Sequence, residues 1–150
     1  MPSSFLCLHY HLIFSTKQRK PQVVPEIAPR LYDYIGGIVR AAGGVLLAAG
    51  GMPDHVHLLV RLKATRAVAD VLRDIKAGSS GWVHETFPER TDFAWQTGYA
   101  AFAVSVSGLG AVKEYIARQE EHHGETTFEE EFVAFLQKHG IEYDERYLWD

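Results

Sequence analysis

Segments of two different periodicities alternate along this chain, and their order predicts an α+β fold. Residues 6–16, 45–49, 55–62 and 95–105 are bulky and strand-like, whereas residues 27–41 and 66–84 repeat apolar side chains at helical spacing. Strand, helix, strand, strand, helix, strand is the order of a ferredoxin-like antiparallel sheet with helices packed on one face. The free face of such a sheet is where RNA-recognition domains stack bases, so the fold alone leaves function open. With 150 residues, 47% of them hydrophobic, the chain suffices for one core, and a single domain over residues 1–150 is expected.

The first strand, 6–16, alternates and leads into a basic, proline-punctuated loop at 17–25. In the helix at 27–41, Leu31, Tyr34, Ile35, Ile38 and Val39 repeat at helical spacing, and Gly43-Gly44 stops it. The strand at 45–49 turns through Gly50-Gly51-Met52-Pro53-Asp54 into the strand at 55–62, a hairpin. Thr65 is placed to cap the second helix, which sets Val68, Val71, Leu72 and Ile75 on one face. After the fourth strand a helix at about 109–123 follows Ser107-Gly108 and contains Val112, Tyr115, Ile116 and Gln119. An acidic helix and tail close the chain at about 127–150.

No apolar stretch reaches the ~20 residues that span a bilayer, and the first five residues lack a secretory pattern. A cytoplasmic protein without a membrane partner is expected. The one cysteine, Cys7, lies in an apolar run, where burial as a small hydrophobe is the expectation.

A net charge of −4 argues at first sight against a nucleic-acid partner, but the charge is unevenly spread. Residues 1–118 hold 13 basic and 9 acidic side chains, whereas residues 119–150 hold 2 and 10. The basic part suits a phosphate backbone through Lys17, Arg19, Lys20, Arg61, Lys63 and Arg66. Glu120-Glu121 and Glu129-Glu130-Glu131 read as the solvated face of a terminal helix, which would limit nonspecific DNA binding by repulsion.

The most informative segment is Met52-Pro53-Asp54-His55-Val56-His57-Leu58-Leu59-Val60. On a strand, His55 and His57 project to one face roughly 6 to 7 Å apart, while Val56, Leu58 and Val60 face the core. That geometry can grip a metal ion, although a histidine on a strand is more often a satisfied structural residue. Asp54 suits either support of the histidines or the shaping of the hairpin turn. Tyr115 and Gln119, four residues apart on the later helix, share a face about one turn apart, ~5.4 Å.

These two segments resemble the insertion-sequence-200-like transposases, the single-tyrosine members of the HUH nuclease superfamily. The likeness extends to Tyr10-His11-Leu12-Ile13-Phe14-Ser15-Thr16-Lys17, to Trp95-Gln96-x-Gly98-Tyr99, and to Tyr143-Asp144-Glu145-Arg146-Tyr147-Leu148-Trp149. The resemblance implies a metal-dependent endonuclease and strand transferase acting on hairpin-containing single-stranded DNA. His55, His57 and Gln119 would hold magnesium or manganese, and Tyr115 would attack the phosphodiester to give a 5′-phosphotyrosine and a free 3′-hydroxyl. It also implies a homodimer in which the tyrosine helix of one subunit completes the site of the other, with Gly108 and Gly110 freeing that helix to swing.

Several residues stay open at this level. His9 and His11 form a second His-x-His, assigned to a supporting or DNA-facing role, and His122 is an alternative third ligand or proton-transfer group. No separate general base is evident. Trp95, Tyr99 and Phe102 suit either the core or base stacking. The rival functions are a domesticated processor of repeated chromosomal palindromes, a non-catalytic nucleic-acid-binding module, and a zinc hydrolase using both histidine pairs.

Overall fold

The computed structural model of the chain describes residues 4–119 and 127–148. Its elements run β1 (His9–Ser15), α1 (Ala28–Ala41), β2 (Val45–Met52), β3 (His55–Arg61), α2 (Val68–Thr86), β4 (Ala100–Val104), α3 (Leu109–Ala117) and α4 (Phe128–Lys138). The strands form an antiparallel sheet in the order β2-β3-β1-β4. This is the ferredoxin-like arrangement implied by the order of elements.

Period-two alternation divides the sheet into two faces. On one, Leu12, Phe14, Val56, Leu58 and Val60 pack with Leu31, Ile35 and Val39 of α1 and with Val71, Leu72, Ile75 and Val83 of α2. α1 starts with Pro29 in its first turn, where the missing N–H has no partner to lose, and ends before Gly43 at φ +85°. The other face carries His11, Ile13, His55 and His57, and it is covered. Ile13, Ala100 and Phe102 pack there with Phe128, Phe132 and Leu136 of α4, while α3 lies against β2 and β3.

A β carbon at Gly50 would lie 2.7 Å from the Ile116 carbonyl oxygen and 3.0 Å from its side chain. The bare backbone there is therefore what admits α3 onto β2, beside His57 in the strand register. Gly108, expected as a swivel, sits at φ −93° and ψ −8°, a helical conformation open to any residue.

Several boundaries differ from the sequence expectation. β1 begins at His9 because its neighbours end opposite it, at Arg61 and Val104, and Cys7 is exposed rather than buried. β2 continues through Gly50, Gly51 and Met52, leaving Pro53-Asp54 as the turn. α2 begins after Ala67 without a side-chain cap, so Thr65 lies outside the capping position, and Arg66 pairs instead with Asp74 at 2.6 Å. Residues 95–99 stay out of β4 because the carbonyls of Gln96, Thr97 and Gly98 accept from Lys76 Nζ. Trp95 keeps an isolated bridge to Thr16.

α3 ends at Ala117, and Arg118 at φ −103°, ψ 24° breaks the helix that was expected to continue to about 123. Gln119 therefore lies past the break, not on one uninterrupted face with Tyr115; His122 and His123 lie outside the described residues. Among the described residues, no helix is long and apolar enough to cross a membrane.

Candidate active site

His55 and His57 are fully buried on the α3/α4 side of β3, and each is held from behind by its Nδ1. His55 Nδ1 lies 2.7 Å from Asp54 Oδ1. A carboxylate only accepts, so Nδ1 carries a proton, and the contact aims Nε2 into the site. Asp54 also keeps the hairpin closed, its backbone carbonyl accepting from Thr16 N at 3.0 Å. It thus fills both roles open to it in the sequence.

His57 Nδ1 lies 2.8 Å from His11 Nε2. The register explains the pair: His57 stands opposite Ile13 and His11 opposite Leu59, so the two rings are diagonal neighbours on adjacent strands. Burial pushes His11 down to about 3, His57 acting in the same direction and Glu131 against it. This hydrogen bond between two ring nitrogens leaves His57 Nε2 facing the site. His9 does not join them. It stands opposite Arg61, and among the described residues its buried Nδ1 has no hydrogen-bond partner.

Facing the two Nε2 atoms are Gln119 Oε1, 3.0 Å from His55, and Glu131 Oε1, 2.9 Å from His57 and 3.8 Å from His55. The donor atoms of His55, His57 and Glu131 all lie within 4.8 Å of one another. Ligands around an ion with bonds of about 2.1 Å stand roughly 3 Å apart at right angles and at most about 4.2 Å, so the 2.9 and 3.8 Å separations from Glu131 fit a divalent ion. Imidazole and carboxylate donors, buried and oriented by outer hydrogen bonds, are also the right chemistry for one.

Glu131 is the residue of the candidate site that the sequence did not single out. Expected on a solvated face, it is 7% exposed. The signal was present: Phe128, Phe132, Phe135 and Leu136 form an apolar stripe on α4, and Glu131 falls inside that stripe. A carboxylate there is buried with the core face and requires polar partners.

Tyr115 is half-buried, and its hydroxyl donates to Glu131 Oε2. Burial first, then the hydrogen bond and the charge of Glu131, push this phenol well above its usual range, while Gln119 opposes the shift. Gln119 Nε2 is 3.4 Å from the same carboxylate oxygen. Aromatic rings close the cluster: Phe128 stacks on His55 at 4.1 Å, and Phe135 meets His11 and Tyr115 edge-on at 5.4 and 5.6 Å. An open groove of about 460 Å³ reaches Tyr115 between Glu130, Ala134 and Lys138. Tyr115, Gln119, His55 and His57 therefore meet within one chain.

The basic residues divide. Lys17, Arg19 and Lys20 follow β1 where Ser15 pairs with His55, at the site's end of the sheet. Arg61 and Lys63 lie at or beyond the other end of β3, about 20 Å away at ~3.3 Å per residue. Arg19 pairs with Glu129 of α4 at 3.0 Å. Of the aromatic candidates, Trp95 and Phe102 are core residues, whereas Tyr99 is 42% exposed.

A buried histidine pair on a ferredoxin-like sheet, with a tyrosine hydroxyl and a glutamine amide turned toward it, defines a sheet-borne candidate metal centre. The chain belongs to the family described as Transposase IS200 like, which matches residues 4–119. It is 29% identical over 117 residues to the ISDra2 transposase TnpA of Deinococcus radiodurans, covering 75% of this chain and 84% of that protein. A crystal structure described as a candidate transposase from D. radiodurans R1 is similar at a TM-score of 0.63 and 28% identity, covering 79% of this chain and 96% of the other. The structure of a REP-associated tyrosine transposase bound to a REP hairpin shares the fold, with a TM-score of 0.60 at 17% identity, covering 84% of this chain and 76% of the other.

Proposed function

We propose that this transposase-family chain is a metal-dependent single-strand DNA endonuclease and strand transferase of the HUH single-tyrosine type. Tyr115 is its nucleophile, and His55, His57 and Gln119 hold the ion. The observation that carries the reading is the convergence of the Tyr115 hydroxyl and Gln119 on the Nε2 side of the histidine pair.

The Tyr115 oxygen attacks the scissile phosphorus, a phosphorus–oxygen bond forms, and the bond to the 3′ oxygen breaks, leaving a 5′-phosphotyrosine and a 3′-hydroxyl. Glu131 Oε2, which already accepts from the hydroxyl, is in place to take its proton. A bound divalent ion, magnesium or manganese by resemblance, supplies charge stabilisation at the phosphate oxygens. Asp54 and His11 keep the two imidazoles in the orientation that points Nε2 inward. Attack of a 3′-hydroxyl on the phosphotyrosine reverses the step and joins strands without ATP.

The groove beside α4 gives the phosphate a path to Tyr115, and Lys138 at its edge offers a phosphate contact. Lys17, Arg19 and Lys20 are the backbone contacts nearest the site, with Arg61 and Lys63 serving a more distant part of the strand. The substrate is single-stranded DNA with a hairpin, a reading supported by the hairpin-bound relative of the same fold. A homodimer is part of the proposal, although one chain already assembles the four side chains.

Incubation of the chain with manganese and a labelled single-stranded hairpin should yield a denaturation-resistant protein–DNA adduct. Tyr115→Phe should abolish it. An adduct that persists in that variant overturns the nucleophile assignment.

A further inference from the structure

The family match ends at residue 119, yet the carboxylate nearest His57 Nε2 among the described residues comes from α4, beyond that span. We infer that Glu131 is a metal ligand of this chain, so that a segment outside the family-matched part completes a two-histidine, one-carboxylate centre. The inference rests on the metal-dependent reading above and adds to the proposed His55, His57 and Gln119 set a donor that the resemblance does not supply.

Three observations carry it. Glu131 Oε1 stands 2.9 Å from His57 Nε2 and 3.8 Å from His55 Nε2, where a neighbouring ligand of the same ion would stand. Asp54 and His11 hold the two rings so that both Nε2 atoms face that oxygen, Gln119 Oε1 lies 3.0 Å from His55 Nε2, and the donor atoms of His55, His57 and Glu131 all lie within 4.8 Å of one another. Two imidazole nitrogens, a carboxylate oxygen and an amide oxygen gathered this closely form a donor set suited to a divalent cation. The carboxylate is also buried, and α4 is anchored around it: Phe128 stacks on His55, and Phe132 and Leu136 enter the second core cluster. Such anchoring holds a ligand in place without help from the ion.

The two carboxylate oxygens then have separate tasks. Oε1 faces the histidines, while Oε2 accepts from Tyr115 and from Gln119 Nε2. One residue thus ties the nucleophile to the metal site, and occupancy of that site should tighten the docking of α4.

The test is Mn²⁺ binding to the full chain without DNA, followed by the loss of the free-ion paramagnetic resonance signal and by titration calorimetry. One ion is expected, with Glu131→Gln weakening binding at least tenfold and His57→Ala at least as much. Glu142→Gln, at an exposed carboxylate beyond α4, should leave it unchanged. Amide hydrogen exchange across 128–138 should slow on adding Mn²⁺ to the wild type and not in Glu131→Gln. Circular dichroism and thermal melts establish that each variant is folded. Glu131→Gln binding Mn²⁺ within about twofold of wild type, while His57→Ala loses it, overturns the ligand assignment and leaves the transposase reading intact. Failure of the wild type to bind any Mn²⁺ overturns both.

Discussion

Gly50→Ala tests whether the approach of α3 to the sheet sets the position of the nucleophile. The added β carbon would lie 2.7 Å from the Ile116 carbonyl oxygen and 3.0 Å from Ile116 Cγ2. Because nonbonded carbon contacts settle near 3.5 Å, the backbone at Ile116 must retreat by roughly 0.5 Å or more. Ile116 is 2% exposed and adjoins Tyr115, so a retreat carries the nucleophile with it. Overpacking of this kind costs about 1–3 kcal/mol, a fall of roughly 2–12 °C in Tm for a chain of this size. Displacements approaching 1 Å cost up to about 100-fold in rate, so adduct formation should drop roughly 10- to 100-fold. The assays are thermal unfolding and single-turnover adduct formation on the hairpin substrate. Wild-type Tm and adduct rate in Gly50→Ala would refute the link between this contact and the site.

Two further outcomes are expected. Asp54→Ala removes the acceptor for His55 Nδ1, 2.7 Å away, while keeping the backbone carbonyl that closes the hairpin; Mn²⁺ affinity should fall about 10- to 100-fold with little change in Tm, and unchanged affinity would contradict the orienting role. His11 is held down at about 3 in the folded chain, against an ordinary value of 6.5, so the unfolded chain binds the extra proton between those limits. Stability should therefore be full above pH 6.5 and fall on acidification toward pH 3. Urea melts across that range should show a shallower slope in His11→Gln, and an unaltered slope would remove His11 from the account.

The fold was legible because its signals are local. Alternation along β3 sends Val56, Leu58 and Val60 to one face and His55 and His57 to the other, whatever else packs nearby. Helical spacing likewise announced Leu31, Ile35 and Val39 as the buried side of α1. The errors fell where a distant group overrides a local preference. Lys76 draws the 96–98 carbonyls out of the expected strand, and Gln119 points into the site past a helix break at Arg118.

By itself, then, the sequence determined the order of elements, the common face of the histidine pair, and Tyr115 and Gln119 as its counterparts. The tertiary structure decided that these parts meet within one chain, that His11 rather than His9 backs His57, and that Glu131 enters the site. The reason is physical. A strand fixes which way its own side chains point, but the partner of each lone pair depends on register between strands and on where an apolar helix face docks, and those are properties of the packed whole. Glu131 shows the difference: three consecutive glutamates look alike along the chain, and only the burial of Phe128, Phe132 and Leu136 turns one of them toward the histidines.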